Sequence, residues 1–263
     1  MIEKLDSADV KAEGKEEGLV KVIVSFPKEG HTLPEAYTNH LSMIKHLGHL
    51  QERGKLLKQI PRFEFFLVTF GRMFTPVARE EAAKLAVESE ADYLFMMDDD
   101  MIVPDDLFEK LYRHNVDIVA PLAFTRNPPH LPVLYSSIEG WDSVTGQDTF
   151  QNHHVKKYPK NKLVECDAVG FGSVLIKTEV LKKTPRPRFQ STTGTGEDVY
   201  FCYLAKRHGA KVFMDTSTKL GHLGHPMVID EVVHEKWREV LEPDFDKKNG
   251  EYDKYEAKVI LGD

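Results

Sequence analysis

Three consecutive carboxylates, Asp98, Asp99 and Asp100, are the strongest chemical feature of the sequence, because methionines flank them on both sides. Neighbouring carboxylates about 4 Å apart repel by roughly 4 kcal/mol at an effective dielectric of 20, so a partly buried cluster needs a cation or strong hydrogen-bond donors. In an extended segment the first and third residues project to the same side, which lets Asp98 and Asp100 share one site. Such oxygen ligands suit Mg²⁺ or Mn²⁺, which complete their coordination with substrate phosphates. The alternative is a strand end whose acids accept loop N–H groups or cap the next helix.

A second acidic pair, Glu197 and Asp198, follows the glycine-containing segment Gly194-Thr195-Gly196 and opens a predicted helix. A carboxylate is favoured at a helix N-terminus, which explains both acids structurally. The functional alternative makes one of them a general base toward an acceptor hydroxyl, with the glycine loop letting a substrate approach the backbone. The spacing alone does not choose between these interpretations.

Two histidines, His222 and His225, each follow a glycine just after the last predicted core strand. Neutral imidazole binds Mn²⁺ beside carboxylates, although a surface or core histidine is the simpler interpretation. Arg79, early on the second predicted helix, has the chemistry to hold a diphosphate by bidentate hydrogen bonds, or it is a solvated helix cation.

Strands and helices that alternate along the chain must position these residues. Apolar runs predict buried strands at Val20–Phe26, Phe63–Phe70, Tyr93–Met97, Val116–Ala120 and Lys211–Asp215, and a glycine-containing pair of strands around Asp167–Lys177. Helical patterns run from Pro34 to about Leu50, from Thr75 onward, from Pro104 to His114, from Glu197 to His208 and from Ile229 to Leu241. This alternation predicts a parallel sheet with ligands at the carboxyl ends of its strands, where Asp98 to Asp100 lie. Prolines interrupt residues 124–164, so that half is expected to be irregular and to shape an acceptor site.

Composition excludes several classes of protein. The chain has 263 residues, of which 41% are hydrophobic and 29% charged, so it folds and suits one large domain. Its net charge of −7 argues against nucleic acid or anionic lipid as a general partner. It contains no apolar stretch of membrane-spanning length and begins with charged residues, so a cytoplasmic protein is expected. The cysteines Cys166 and Cys202 suit reduced thiols.

We expect three regions along the chain: a flexible arm over residues 1–18, one domain over residues 19–226, and a C-terminal helix with a charged tail over residues 227–263. Basic stretches at residues 156–162 and 182–188 flank the acceptor-side motifs and leave open an anionic acceptor, although solvated loops explain them more simply.

Taken in chain order, these motifs resemble those of the GT-A glycosyltransferases, and more narrowly the compact family-2-type transferases common in bacterial and phage sequences. The resemblance covers roughly residues 20–225. It implies an α/β fold with a single GT-A (Rossmann-like) domain, a mostly parallel central sheet flanked by helices, and a mixed acceptor-side half.

The resemblance also implies roles for individual residues. Nucleotide contacts fall on Ser25, Phe26 and Pro27, where the first strand ends in a loop, on Arg79, and on Asp98 and Asp99. The metal ligands are Asp98, Asp100 and His222. Acceptor contacts are Gly170, Phe171, Gly172 and Gly196, and the catalytic acids are Asp198 and Glu197. The second strand ends in Val68-Thr69-Phe70-Gly71, without the acid that reads uracil in many family members, so the base stays open between UDP and GDP.

The activity implied by this resemblance is transfer of a sugar from a nucleoside diphosphate sugar to an acceptor hydroxyl, with Mn²⁺ or Mg²⁺ stabilising the leaving diphosphate. Asp198 would deprotonate the acceptor if configuration is inverted. Two alternatives remain: a non-catalytic nucleotide- or carbohydrate-binding protein on the same scaffold, and a nucleotidyltransferase that forms nucleotide sugars. The latter normally needs a glycine-rich basic loop after the first strand, where this chain has only Lys28-Glu29-Gly30.

Overall fold

The computed structural model describes residues 17–28, 33–58, 61–71, 73–142, 147–192, 195–224, 227–236 and 258–259. The strands are β1 (Leu19–Lys28), β2 (Arg62–Gly71), β3 (Tyr93–Met97), β4 (Met101–Ile102), β5 (Ile118–Leu122), β6 (Leu134–Asp142), β7 (Gln147–His154), β8 (Leu163–Cys166), β9 (Ala168–Val169), β10 (Ser173–Lys177), β11 (Val212–Lys219), β12 (Gly221–Gly224), β13 (Met227–Ile229) and β14 (Lys258–Val259). The helices are α1 (Pro34–Leu57), α2 (Thr75–Glu88), α3 (Leu107–Tyr112), α4 (Thr178–Lys183) and α5 (Glu197–Arg207), and residues 231–236 are also helical.

A central sheet of eight strands, in the order β14-β8-β11-β5-β10-β3-β1-β2, organises the molecule. The pairs β1–β2, β1–β3 and β5–β11 are parallel, whereas β10 is inserted antiparallel between β3 and β5. Strand β8 also runs antiparallel to its neighbours β11 and β14. The predicted α/β class, with a central sheet flanked by helices, is confirmed. Most strands point the same way, as predicted, but β8 and β10 make the hydrogen-bonding pattern mixed.

Both faces of the sheet are covered, which explains why its inner strands are continuous apolar runs rather than alternating ones. Successive residues of β3 point to opposite faces, so Leu94 and Met96 join one buried cluster and Phe95 the other. Small residues of α2, including Ala82, pack on the first face, and Met43 of α1 packs on the second. The sheet is therefore a rigid platform, and its carboxyl edge carries the acidic turn.

Helix α1 is longer than the sequence predicts. It continues through Gly54 and ends at Leu57, where Lys58 adopts a left-handed φ of 49°. A Cβ at position 54 would lie 3.7 Å from the Cα of Arg62, so the helix packs closely on the start of β2 there. A mid-helix glycine costs about 1 kcal/mol relative to alanine, which packing of this kind offsets.

The expectation that residues 124–164 are irregular holds for residues 125–133 and 155–162 but was wrong for the strands between and after them. Strands β6 and β7 pair along their whole length as an antiparallel hairpin, and β8 joins the central sheet. The interrupting prolines all fall outside these strands, where the missing N–H costs no ladder hydrogen bond. Helix α4, which the sequence did not predict, connects β10 to the segment before α5.

At the C-terminal side, β13 occupies the beginning of the region predicted as a helix from Ile229 to Leu241. Helical structure follows at residues 231–236. Residues 1–16 of the predicted arm and most of the predicted charged tail lie outside the described residues.

In the part of the chain that is described, no helix combines the length and the apolar character that crossing a bilayer requires.

Candidate active site

The acidic turn is brought to a histidine by main-chain pairing. Strand β3 ends at Met97, Asp98 to Asp100 form the turn, and β4 then pairs antiparallel with β12, with His222 opposite Met101. The N–H of Leu223 donates to the carbonyl oxygen of Asp100 over 2.9 Å. As a result, His222 Nε2 lies 3.1 Å from Asp100 Oδ2, although the two residues are 122 positions apart in the chain.

The orientation of His222 is fixed by a carbonyl group. Its Nδ1 lies 2.8 Å from the carbonyl oxygen of Phe124, which only accepts, so Nδ1 carries the proton. Burial lowers the pKa of His222, and the nearby Arg126 acts in the same direction, against the opposing effect of the Phe124 hydrogen bond. In the neutral ring, Nε2 therefore presents its lone pair to a carboxylate oxygen. Two acceptors this close favour a cation beside them, and an anchored Nδ1–H is typical of metal-binding histidines.

The chemistry of Asp100 and His222 thus fits a divalent cation that keeps further positions for phosphate and water. Within the described ranges, no group of three or more carboxylate, imidazole or thiol side chains is arranged to hold a metal ion. Asp98, predicted as a further ligand, gives its oxygen Oδ1 to Arg79, and Asp99 lies half-buried in the same turn.

Arg79 is buried and links Asp98 of the acidic turn to Glu197 at the start of α5. Its Nη1 donates to Glu197 Oε1 at 2.5 Å, and its Nη2 donates to Asp98 Oδ1 at 2.7 Å and to the carbonyl oxygen of Phe171 at 3.3 Å. Its side chain is only 3% exposed. Burial by itself lowers the pKa of Arg79, but Asp98, Glu197 and Asp198 outweigh burial and raise it. The sequence predicted either a diphosphate contact or a solvated helix cation, and the structure shows a buried guanidinium occupied by protein oxygens.

The two neighbouring acids at the start of α5 have different environments. Glu197 is locked in the ion pair with Arg79. Asp198 accepts the N–H of Val199 at 2.7 Å and that of Phe171 at 3.4 Å. Burial, reinforced by Glu197 and opposed by Arg79, raises the pKa of Asp198 to about 6. Position within the helix could not distinguish the two acids, but the position of Arg79 does.

The segment predicted to bind the acceptor, Gly170-Phe171-Gly172, lies inside the fold. A Cβ at position 170 would come within 2.7 Å of the Cβ of Val133, and one at position 172 within 3.0 Å of Met101 Sδ. Phe171 is 1% exposed. The Cζ atom of Arg79 lies over its ring, 5.5 Å from the ring centroid. These glycines allow close packing beneath the site.

Gly196, also predicted on the acceptor side, is exposed and forms the N-cap of α5, without a side-chain cap hydrogen bond. A Cβ there would lie 2.8 Å from Asp198 Oδ1, so this glycine makes room for the carboxylate.

The first strand extends into the segment that was predicted to form the nucleotide-binding loop. Strand β1 continues to Lys28, in register with β2 through Pro27 and Phe70. Ser25 and Phe26 are therefore buried in the sheet, 0% and 4% exposed. They belong to the predicted strand Val20–Phe26, which pairing with β2 extends to Lys28, so they do not lie in an open loop. Residues 29–32, which follow this strand in the chain, lie outside the described residues.

Sequence reasoning missed Arg126, whose Nη2 donates to Asp100 Oδ2, the same oxygen that faces His222. Its side chain is 54% exposed. Arg126 follows β5, at the same edge of the sheet as the acidic turn, so the rule that ligands gather at the carboxyl ends of strands could have found it. It was overlooked because residues 124–164 were treated as irregular.

No protein-family model and no curated protein matches this chain. Among solved structures, it is similar to A197 from STIV, with a TM-score of 0.48 and 20% identity over 78% of this chain and 86% of that one. It is similar to GalNAc-T7 crystallised with UDP, GalNAc and Mn²⁺, with a TM-score of 0.48 and 16% identity over 88% of this chain and 50% of that one. It is also similar to a UDP-glucose pyrophosphorylase complexed with UDP-glucose, with a TM-score of 0.44 and 8% identity over 85% of this chain and 99% of that one. These likenesses are distant, so the functional conclusion rests on this chain's own residues.

Proposed function

We propose that this protein is a GT-A glycosyltransferase that uses Mn²⁺ or Mg²⁺ to transfer a sugar from a UDP- or GDP-linked sugar to an acceptor hydroxyl. The observation that carries the proposal is the contact between Asp100 and His222. Two acceptor groups from distant parts of the chain lie 3.1 Å apart, with the ring oriented by a backbone carbonyl. The order of the motifs along the chain, acidic turn first, then Gly-Glu-Asp, then the late histidine, supports the same class.

Asp100 and His222 would hold the cation. When bound, the cation stabilises the negative charge that develops on the departing diphosphate. Asp98 is held in a fixed orientation by Arg79 at 2.7 Å, which suits a carboxylate that positions the ribose or completes the ion's coordination. In this proposal Arg79 is a positioning residue, since its guanidinium already serves Asp98 and Glu197.

Asp198 is the proposed general base for an inverting reaction. A base works best when its pKa lies near the operating pH, and burial raises that of Asp198 to about 6. It would accept the proton of the acceptor hydroxyl as the oxygen attacks the sugar. Glu197, whose carboxylate pairs with Arg79 at 2.5 Å, would hold the start of α5 in place.

The acceptor in this proposal is a neutral hydroxyl compound, such as a saccharide. Three cations of the second basic stretch already have acidic partners within the protein: Arg186 and Arg188 pair with Glu80, and Lys182 pairs with Glu179. We propose residues 19–226 as the catalytic domain.

Calorimetric binding of UDP and GDP, with Mn²⁺ and with EDTA, tests the proposal. We expect at least one nucleotide to bind, and we expect EDTA or Asp100→Asn to weaken that binding at least about tenfold, since the metal joins protein to phosphate. Asp105→Asn is the matched control, because Asp105 is an exposed acid in the following turn that bonds Ser42. Undiminished binding by Asp100→Asn without metal would refute the proposal.

Turnover separates the proposal from its alternatives. Hydrolysis or transfer of a nucleotide sugar that depends on Mn²⁺ supports the transferase. Release of pyrophosphate from a nucleoside triphosphate and a sugar phosphate would instead show a nucleotidyltransferase. Tight nucleotide binding without turnover on a broad acceptor panel would indicate a binding protein.

A further inference from the structure

Arg126 lies in a loop that backbone hydrogen bonds hold in place, and its guanidinium contacts Asp100 of the proposed metal-binding pair Asp100 and His222. The loop is closed by the Thr125 N–H, which donates to the carbonyl oxygen of Leu131 at 2.8 Å, and by a bridge between Phe124 and Pro132. The carbonyl of Phe124 in turn accepts from His222 Nδ1. The backbone that orients the histidine therefore also places the arginine two residues further along.

One carboxylate oxygen serves two partners. Asp100 Oδ2 accepts from Arg126 Nη2 and also faces His222 Nε2 at 3.1 Å. A cation held between Asp100 and His222 would bind the Asp100 oxygen that faces the imidazole, and it would repel the guanidinium beside that oxygen. Arg126 and a divalent cation therefore compete for Asp100.

A diphosphate bound at this acidic surface would be the new partner of the displaced arginine. The acidic turn and the start of α5 bring Asp98, Asp99, Asp100 and Glu197 together, and Arg79 is buried beneath them. Arg126, by contrast, is 54% exposed. A diphosphate that approaches this acidic surface needs cationic groups besides the metal, and a guanidinium binds phosphate oxygens in a bidentate manner.

We infer that Arg126 changes partner during donor binding: it pairs with Asp100 in the free protein and binds the diphosphate of the nucleotide once a divalent cation occupies Asp100 and His222. This inference rests on the proposed function and adds a diphosphate-binding residue to it. Without nucleotide, Arg126 competes with the metal for Asp100, whereas with metal and nucleotide bound it is a ligand of the diphosphate. Removing Arg126 should therefore strengthen binding of the metal alone and weaken binding of the nucleotide.

The test compares Arg126→Gln with wild type in two titrations. Binding of Mn²⁺ alone, followed by electron paramagnetic resonance of the free ion, is expected to be at least about threefold tighter in Arg126→Gln, because the competitor is gone. Binding of the nucleoside diphosphate at saturating Mn²⁺ is expected to be at least about tenfold weaker, because a charge-assisted bond to phosphate is lost. The corresponding nucleoside, which lacks phosphate, should bind both proteins equally.

Arg207→Gln is the matched control, since it also removes one exposed arginine charge. Arg207 lies at the opposite end of α5 from Glu197, about 15 Å away at 1.5 Å per residue, so both titrations should match wild type.

Failure of the inference and failure of the proposed function give different results. If wild type binds the nucleotide with Mn²⁺ and Arg126→Gln binds it equally well, or binds Mn²⁺ alone more weakly, the inference is wrong and the proposed function stands. If wild type binds Mn²⁺ but neither UDP nor GDP, both the proposed function and the diphosphate role of Arg126 are wrong.

Discussion

Replacing Arg79 with methionine tests whether this residue is a structural clamp or a ligand of the nucleotide. Methionine keeps an unbranched apolar stem and removes the guanidinium. Glu197 and Asp98, whose side chains are 15% and 31% exposed, then lose their charge partner. Arg79→Met therefore leaves two partly buried carboxylates without their charge partner, and Glu197 is the less exposed of the two.

Breaking a buried ion pair by removing one partner costs about 3–5 kcal/mol. Most of this loss should come from Glu197, because it is the less exposed acid and its 2.5 Å bond to Arg79 is the shorter one. At about 2–4 °C per kcal/mol for a large domain, we expect Tm to fall by about 6–20 °C.

Urea denaturation followed by circular dichroism at pH 7.5 measures the loss, and a double-mutant cycle with Glu197→Gln locates it. The neutral amide no longer needs the cation, so the double variant should recover at least about 1 kcal/mol relative to additivity. Arg188→Met is the control, since Arg188 is also a buried arginine and pairs with Glu80 away from the acidic turn. It should lose stability without altering Mn²⁺-dependent nucleotide affinity.

Two results would refute this reasoning. A loss below about 1 kcal/mol with no coupling to Glu197 would show that the ion pairs are not a clamp. Wild-type stability together with abolished nucleotide binding would show that Arg79 contacts the diphosphate directly, as the sequence first suggested.

Three further changes test separate parts of the structure. The pKa of Asp198 is raised from 3.8 to about 6, so the wild type loses stability as pH rises between these values. Asp198→Asn should therefore have a free energy of unfolding about 1–3 kcal/mol higher than wild type at pH 8. Its turnover should be about 10²–10⁴-fold lower. The pKa of Asp215 is lowered because its side-chain hydrogen bonds outweigh burial, so Asp215→Asn should lose about 1.5–3 kcal/mol at pH 7, a difference that shrinks as pH falls below about 4. Gly170→Ala places a Cβ 2.7 Å from the Cβ of Val133 and should cost about 1–3 kcal/mol, whereas Gly48→Ala meets nothing within 4 Å and should gain up to about 1 kcal/mol.

Urea denaturation across a pH series checks the two aspartates, and thermal denaturation checks the two glycines. Equal stability of Asp198→Asn and wild type at pH 8 would contradict the raised pKa. A stability deficit of Asp215→Asn that is constant with pH would contradict the lowered one. Equal effects of alanine at positions 170 and 48 would contradict the close packing beneath the acidic turn.

Elements whose signal is local were predicted well. The strand Tyr93–Met97 has the predicted bounds, α2 begins at the predicted residue Thr75, and α5 ends one residue before the prediction, at Arg207. In each case an apolar run or a turn-forming residue lies within the element itself. The sequence therefore placed the acidic turn at the carboxyl edge of the sheet.

Features that depend on how separate strands pair were not predicted. The β6–β7 hairpin lies where prolines and mixed polarity hide the alternation, and its pairing is a property of two strands together. Strand β10 was anticipated as a strand but not as an antiparallel insertion, because strand direction within a sheet follows from the path of the chain between neighbours. Strand β1 extends past its predicted end because it pairs with β2 as far as Lys28.

The sequence by itself determined which groups are available: the acids of the turn after β3, the pair at the start of α5, and the late histidine. Tertiary structure decided what each group does. It buried Arg79 under Asp98 and Glu197, left Asp198 with a raised pKa, and placed Arg126 on the oxygen that faces His222. The physical reason is that Coulomb energy and desolvation depend on separation and burial, and these were set by residues that the fold brings together from positions up to 122 apart.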